Sequence, residues 1–439
     1  DTAIYNSLST VTGGVTVDMA AGTATGDASI GTDTLRSIEG IQGTGYADTY
    51  VATGFNGSSA NAGSFGNFNQ FEGLGGDDQI TGNGNTRLLY TNATGGVTVG
   101  LTAGSVTGDV SVGHDTFTGV NSVYGSNFAD TYDATGFIGF NSFQGLAGND
   151  LIIGNGSTQL LFANATGGVV VDLATGTISG DASVGYDTIT GGVNGVSGSN
   201  FNDTLKGGSS ADNLLGNGGA DTFVYVSGGG ADFIGDFSHA QADKIDLSGA
   251  GIYNLADVQA IASQQGSNTF INFGNGDSLT LQNVALSNLT AADFIFAPGV
   301  HLIGDANPNT LVGTVYADNL SGLGGNDVLQ GLGGNDLLDG GQGFDRADYG
   351  DATGGITANL AAGSVTGPGV GTDVLANVEG ILGSNYADTF NAAGFTGSTG
   401  LPGVAAGQSE FEGRGGNDIV VGAVNALGQI VTRLSYLGA

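Results

Sequence analysis

The sequence predicts an all-β protein: a parallel β-roll or β-solenoid with metal-binding turns, joined to a small β-rich module that carries one short helix. Three observations predict it. Glycine makes up 86 of the 439 residues and falls into a fixed nine-residue phase over 304–348. A longer unit, opening TGGVTVDM, recurs four times with apolar residues at every second place. Between these tracts, 224–299 follows neither period.

The nonamers GLGGNDVLQ, GLGGNDLLD and GGQGFDRAD run without interruption from Gly322 to Asp348, after two degenerate units, GDANPNTLV and GTVYADNLS. Glycine recurs at 304, 313, 322, 331 and 340, and the sixth place reads Asn309, Asp318, Asp327, Asp336, Asp345. A flexible linker has no reason to keep Asp and Leu in phase. Each unit splits into a six-residue turn and a three-residue strand with one inward apolar side chain, Leu329 or Leu338. Glycine accepts left-handed backbone angles, so the turn can aim several carbonyl oxygens at one point. With the Asp carboxylate they form an all-oxygen set, which suits Ca2+ with its six to eight hard ligands.

Two nonamers make one coil, so residues eighteen apart stack at about 4.8 Å. Asp318 and Asp336 then line one edge, Asp327 and Asp345 the other. Two bare carboxylates about 5 Å apart repel by about 0.8 kcal/mol in water and about 3 kcal/mol at an effective dielectric of 20. The stack is therefore expected to close only around a divalent cation.

The longer unit opens at Thr12–Met19, Thr94–Leu101, Thr166–Leu173 and Thr353–Leu360. Alternation such as Val15, Val17, Met19 marks a half-buried strand. A G-x-D turn is expected at Asp33, Asp115, Asp187 and Asp373, followed by Asp48, Asp130, Asp203 or Asp388 within GYADTY, NFADTY, NFNDTL or NYADTF. Leu35, Ile38, Ile41 have helical spacing, but the surrounding glycines make a helix costly, and tight solenoid corners fit better. Copies one, two and four continue to a single nonamer with Asp78, Asp150 or Asp418, and copy three to phased units with Asp203, Asp212 and Asp221. Copies one and four also hold a Gly-, Ser-, Ala- and Asn-rich insertion before the nonamer, a surface loop.

In 224–299, LADVQAIASQ behind Asn254 predicts a short helix with an N-cap. Phe270 to Val284 and Lys244 to Gly249 read as strands, with a turn at GNGD. The expected segments are 1–87, 88–159 and 160–223 (solenoid repeats one to three), 224–303 (β-rich module), 304–348 (nonamer array) and 349–439 (repeat four).

Acidic residues number 41 against seven basic ones, which argues against nucleic acid or anionic membranes and for cations as partners. Yet only 11% of residues are charged and 39% are hydrophobic, so the chain is not a disordered acidic tail. With no Cys, disulfides, thiolate metal sites and cysteine nucleophiles are excluded. No apolar run approaches a membrane span, and DTAIYNSLSTVTGG is not a signal peptide. The ending RLSYLGA matches RLLYTNA inside the second repeat, so the chain reads as a piece of a longer protein.

These residues resemble the RTX (repeats-in-toxin) proteins of Gram-negative bacteria. The nonamers at 304–348 carry the likeness most specifically. DRADYGDATGGITANLAAGSVTG is similar to linker repeats of large RTX proteins, and 216–296 to the module that closes serralysin-type RTX regions. The resemblance implies a β-roll loaded with several Ca2+ ions, type I secretion, folding on meeting calcium outside the cell, and an extracellular or cell-surface place. It implies side-chain ligands at Asp318, Asp327, Asp336, Asp345, Asp203, Asp212, Asp221, Asp78, Asp150 and Asp418, and at Asp48, Asp130 and Asp388, with turn carbonyls such as those of Gly324, Asn326, Gly333 and Asn335. Asn309 departs from the pattern and marks an array end. Arg87 and Gln159 hold the sixth place in 82–90 and 154–162, so the lone nonamers before them are expected to bind weakly or not at all. The serralysin-like module is internal, which leaves a terminal export role without support.

Catalysis finds no constellation. His114, His239 and His301 lie more than sixty residues apart, expected as a variable turn residue and two surface positions, and no G-x-S-x-G elbow occurs. The leading reading is a non-enzymatic segment of a surface layer, filament or adhesin, partnered by calcium and by copies of itself or neighbouring repeats. Two alternatives stand beside it: the carrier region of a secreted protease, lipase or polysaccharide epimerase, and a carbohydrate- or ice-binding module. The last would need a flat face of regular Thr or aromatics, and Thr in GTDT and ADT forms no continuous ladder in the sequence.

Overall fold

The computed structural model describes residues 1–6, 10–396, 408–424 and 431–435. The insertion of copy four falls largely outside them. The chain divides into two compact units, 1–250 with 258–295 and 251–257 with 296–439.

Each unit is a solenoid of mostly three- to four-residue strands stacked in parallel. In the second unit the eighteen-residue register is direct: Leu320 pairs with Leu338 on one face and Leu311 with Leu329 on the other. An eight-stranded and a six-stranded sheet form the two faces. The first unit joins 28 strands into one sheet system, with Tyr50 over Ile80 on one face and Ile41 over Phe71 on the other.

A three-residue strand can turn only its middle side chain inward, and that side chain forms the core. Leu320, Leu329, Leu338 and Ala347 are fully buried, as are Val17, Tyr50, Val99 and Tyr132. Rings from opposite faces meet inside the coil. Tyr50 stacks on Phe71 at 4.9 Å, Tyr132 on Phe143 at 4.6 Å, and Phe390 on Phe411 at 4.9 Å. The two tyrosines keep their hydroxyls satisfied by donating to Asn69 Oδ1 and Asn141 Oδ1, each at 2.8 Å.

The long repeats keep the expected corners at 35–39 and 377–379 in copies one and four, but differ from the expected turns. The G-x-D segments are strands, the third limb of an antiparallel zigzag. Thr16–Asp18 pairs with Thr23–Thr25, which pairs with Thr32–Thr34. The same zigzag recurs in copies two, three and four. Three limbs restore the original strand direction, so the parallel stack continues on either side. Thr98–Gly100 pairs in parallel with Thr131–Asp133, and His114–Tyr124 with Gln79–Leu89.

The helix is Leu255–Ile261, with Asn254 Oδ1 accepting from the Asp257 N–H at 3.1 Å. It ends short of Gln264 because Ala262–Gln265 is recruited into an antiparallel hairpin with Asn268–Gly274. Gly274–Gly276 make the expected GNGD turn with positive φ at all three residues. No helix among the described residues is long and apolar enough to cross a membrane.

Candidate metal centre

The aspartates form ladders along the coil edges. In the second unit the Asp318 N–H donates to Asp336 Oδ1 at 3.0 Å, and the Asp336 N–H to Asp373 Oδ1 at 3.0 Å. On the other edge the Asn309 N–H donates to Asp327 Oδ1 (2.8 Å), Asp327 to Asp345 Oδ1 (2.7 Å), and Asp345 to Glu379 Oε2 (3.0 Å). In the first unit the ladders run from Asp48 to Asp78 to Asp115, from Asp130 to Asp150 to Asp187, from Asp203 to Asp221 to Asp243, and from Asp212 to Asp232. Asp388 donates to Asp418. The expected picture of bare carboxylates facing each other is therefore incomplete. One oxygen of each is held by a backbone N–H of the coil before, except in Asp212, where Gly208 of the same turn donates to Oδ2.

The second oxygen separates the turns. Oδ2 of Asp78, Asp150, Asp221, Asp327, Asp336 and Asp345, and Oδ1 of Asp212, are buried without a hydrogen-bond partner. An orphaned buried carboxylate oxygen calls for an explanation, and an absent ion is a standard one. In Asp48, Asp130, Asp203, Asp318 and Asp388 both oxygens accept protein hydrogen bonds.

Burial shifts several ladder carboxyls upward, and neighbouring carboxylates add to it. Asp78 is pushed up to about 9, with Asp115 and Asp48 as the charged neighbours. Asp150 is pushed to about 8. Asp221 and Asp336 reach about 7, and Asp345 about 6. A group so disfavoured as an anion gains most from a cation beside it.

The backbone makes room for that cation. At the second turn place, Leu74, Leu146, Leu323 and Leu332 take φ of 70°, 66°, 64° and 68°, and Asn217 takes 65°. Side-chained residues rarely adopt this region, so its recurrence at one place marks a conformation the stack imposes. At the fourth place only glycine fits: Gly76, Gly148 and Gly334 have φ of 114°, 138° and 123°, and a Cβ there would strike the backbone of Tyr46, Phe128 or Tyr316 in the coil before. A Cβ on Gly322 would strike Asp327 Oδ2 and lie 2.6 Å from the Gly340 carbonyl oxygen of the next coil. Two negative oxygens converge on that space.

Of the expected carbonyl ligands, those of Gly324, Asn326, Gly333 and Asn335 sit in these turns, and no hydrogen bond among the described residues occupies their oxygens. The Asn side chains run a second ladder, Asn326 Oδ1 accepting from the Phe344 N–H (2.9 Å) and Asn335 Oδ1 from Thr372 (2.8 Å). Asp115, Asp187 and Asp373 were missed as ladder members. Their constant distance of 37 residues from Asp78, Asp150 and Asp336 was the available signal. Asp78 and Asp150 stand in ladders of their own, built like those of the array. The segment with Arg87 belongs to the strand Gln79–Leu89, where Arg87 lies 4.1 Å from the Tyr124 ring centroid. His114 begins a strand, and the other two histidines are paired: His239 Nδ1 lies 2.7 Å from Asp293 Oδ1, and His301 Nδ1 2.9 Å from Asp257 Oδ1.

Among the described residues no three His, Cys, Asp or Glu side chains converge as a ready cluster. A cation here must take one carboxylate oxygen and several turn carbonyls. That donor set fits calcium and not the imidazole and thiolate preferences of transition metals.

The family description RTX calcium-binding nonapeptide repeat matches in four copies, over 135–158, 197–234 and 312–347. The chain carries RTX calcium-binding repeats. Such RTX repeats bind Ca2+, and four copies provide for several ions. The matched RTX segments contain Asp150, Asp203, Asp212, Asp221, Asp318, Asp327, Asp336 and Asp345. No curated protein matches the chain. Among solved structures, an extracellular lipase of Serratia marcescens aligns at 16% identity over 59% of this chain and 40% of its own, with a TM-score of 0.17.

Proposed function

We propose that this chain is a calcium-stiffened structural segment of a large secreted RTX repeat protein, placed outside the cell in a surface layer, filament or adhesin of a Gram-negative bacterium. The continuity of the aspartate ladders supports this reading most directly. They pass from the long repeats into the zigzags, as Asp48 to Asp78 to Asp115 does. Calcium would be held by the unpartnered Oδ atoms of the nonamer aspartates and by turn carbonyls. Bound there, it neutralises carboxyls that burial disfavours as anions and ties each turn shut. The result is a solenoid whose stiffness depends on external calcium.

Extracellular calcium modules bind at about 10⁻⁴ to 10⁻³ M. The chain is expected to lose thermal stability and part of its β circular dichroism in chelator, and to regain both at millimolar Ca2+. Mg2+ should substitute poorly, because it demands tighter octahedral geometry. Indifference to chelator would remove the calcium reading. For the surface role, antibody against the chain should label intact cells of the source organism, and labelling only after lysis would remove it.

A further inference from the structure

The nonamer-type turns that end in a ladder aspartate fall into two classes by the residue at their second place, apart from two: the Asp212 turn, where Gly208 gives its N–H to Oδ2 without a hydroxyl, and the Asp418 turn, which carries Arg414. Five carry a hydroxyl there: Thr44, Ser126, Ser199, Thr314 and Ser384. In each, the second-place N–H donates to Oδ2 of the Asp four residues on, as Ser126 does to Asp130 at 2.7 Å and Ser384 to Asp388 at 2.8 Å. The hydroxyl donates to Oδ1 of the same carboxylate, at 2.6 to 3.0 Å. That Oδ1 also accepts the N–H of Val15, Val97, Val169, Val300 or Ile356. Both oxygens of the carboxylate are partnered by the chain itself.

The other class carries Leu74, Leu146, Asn217, Leu323, Leu332 or Gly341 at the second place, all with positive φ. Here Oδ2 of Asp78, Asp150, Asp221, Asp327, Asp336 and Asp345 has no partner. None of the five hydroxyl residues has positive φ.

We propose that the second-place residue selects how a turn is closed: a hydroxyl closes it without metal, whereas a left-handed Leu, Asn or Gly leaves one carboxylate oxygen for Ca2+. The inference rests on the calcium reading above and assigns its sites. Asp48, Asp130, Asp203, Asp318 and Asp388 become positioning residues instead of ligands. Each lies one coil before a nonamer turn and fixes it, its N–H holding Oδ1 of Asp78, Asp150, Asp221, Asp336 or Asp418. Four of the five metal-free turns, those of Asp48, Asp130, Asp203 and Asp318, thus preset the carboxylate of a calcium turn behind them. Less ordering then remains to be done when the ion arrives.

The test counts bound calcium on the full chain by equilibrium dialysis, with circular dichroism in millimolar Ca2+ as the control for folding. Asp150→Asn should remove one ion, and Asp130→Asn should remove none, although both carboxylates lie on the same ladder. Turning GSNFAD into GLGGND (Ser126→Leu, Asn127→Gly, Phe128→Gly, Ala129→Asn) should add one ion. The proposal is overturned if Asp130→Asn loses an ion, or if Asp150→Asn keeps them all. Should the four-residue exchange fail to fold, the two Asn variants still decide. A wild-type chain that binds no calcium would instead defeat the calcium reading itself, and so the two failures are distinguishable.

Discussion

The N–H of Asp48 donates to Oδ1 of Asp78, thirty residues on and one coil away, at 2.8 Å. This one bond gives the carboxylate of Asp78 two unlike oxygens. Oδ1 is a structural acceptor, and Oδ2 is buried with nothing to bind. The same asymmetry recurs at Asp150, Asp221, Asp327, Asp336 and Asp345. It allows a roll to be fully stacked by its backbone and still carry places that only a cation satisfies.

Stability without calcium should fall as pH rises. The ladder carboxyls are raised to about 9 at Asp78, about 8 at Asp150 and about 7 at Asp336, chiefly by burial and then by nearby carboxylates. Unfolded, they titrate near the ordinary Asp value of about 3.9. Between those limits the folded chain holds more protons than the unfolded one, so stability declines with increasing pH. In chelator, the thermal midpoint should be higher at pH 5 than at pH 8.5. Millimolar Ca2+ should flatten or reverse that slope, because the ion replaces the protons. A midpoint that rises with pH in chelator would contradict the assignment.

The same exchange predicts proton release. Carboxyls protonated in the metal-free fold must lose their protons to become ligands. Calorimetric titration of Ca2+ at pH 7 in two buffers of different ionisation enthalpy should give different apparent heats, with net protons liberated per ion. Equal heats in both buffers would mean that the ladder is already ionised.

Much of this was legible in the sequence. One Asp and one inward Leu per nine residues fixed the stacking of Leu320 on Leu338 and of Asp318 before Asp336, because a three-residue strand has only one inward place. The zigzags were not legible, since Thr32-Asp33-Thr34 and its counterparts carry the composition of turns and reveal a strand only through pairing with their neighbours. Left-handed Leu74 and Leu332 were hidden as well, because leucine gives no sign of a positive φ that its neighbours impose. The hydroxyls at Thr44 and Ser126 could be seen in the sequence. That they donate to an aspartate four residues on required geometry.

Gly148, at the fourth place of a nonamer turn, should be indispensable, whereas Gly45, at the third place of a hydroxyl turn, should not. Gly148 has φ of 138° and its Cβ would strike the Phe128 backbone, whereas a Cβ on Gly45 meets nothing within 4 Å. Gly148→Ala combines left-handed strain with a backbone collision and should cost about 1–3 kcal/mol or more. Gly45→Ala should change stability by no more than about 0.5 kcal/mol. Urea unfolding at saturating Ca2+ measures both, and comparable losses would argue against the stacked turn geometry.

Two equivalent positions offer a swap that isolates one hydroxyl. Tyr90 donates its hydroxyl to Asp115 Oδ2 at 3.0 Å, at the end of the ladder through Asp78. The third repeat has Phe162 in that place, and Asp187 at its ladder end has no tyrosine hydroxyl to accept. Asp115 is pushed up to about 6 and Asp187 to about 7, burial being the main cause in both and the hydroxyl holding Asp115 lower. Tyr90→Phe leaves a buried acceptor short of a donor and should cost about 1–3 kcal/mol. It should also lift the Asp115 carboxyl, so the loss grows between pH 6 and pH 8, where the wild-type group is ionised and the variant must give up more to ionise. Phe162→Tyr should do the reverse at Asp187 and stabilise by about 1 kcal/mol if the ring keeps its place. Urea unfolding of the two variants at pH 6 and pH 8 decides it: equal, pH-independent effects would show that the hydroxyl acts by packing alone.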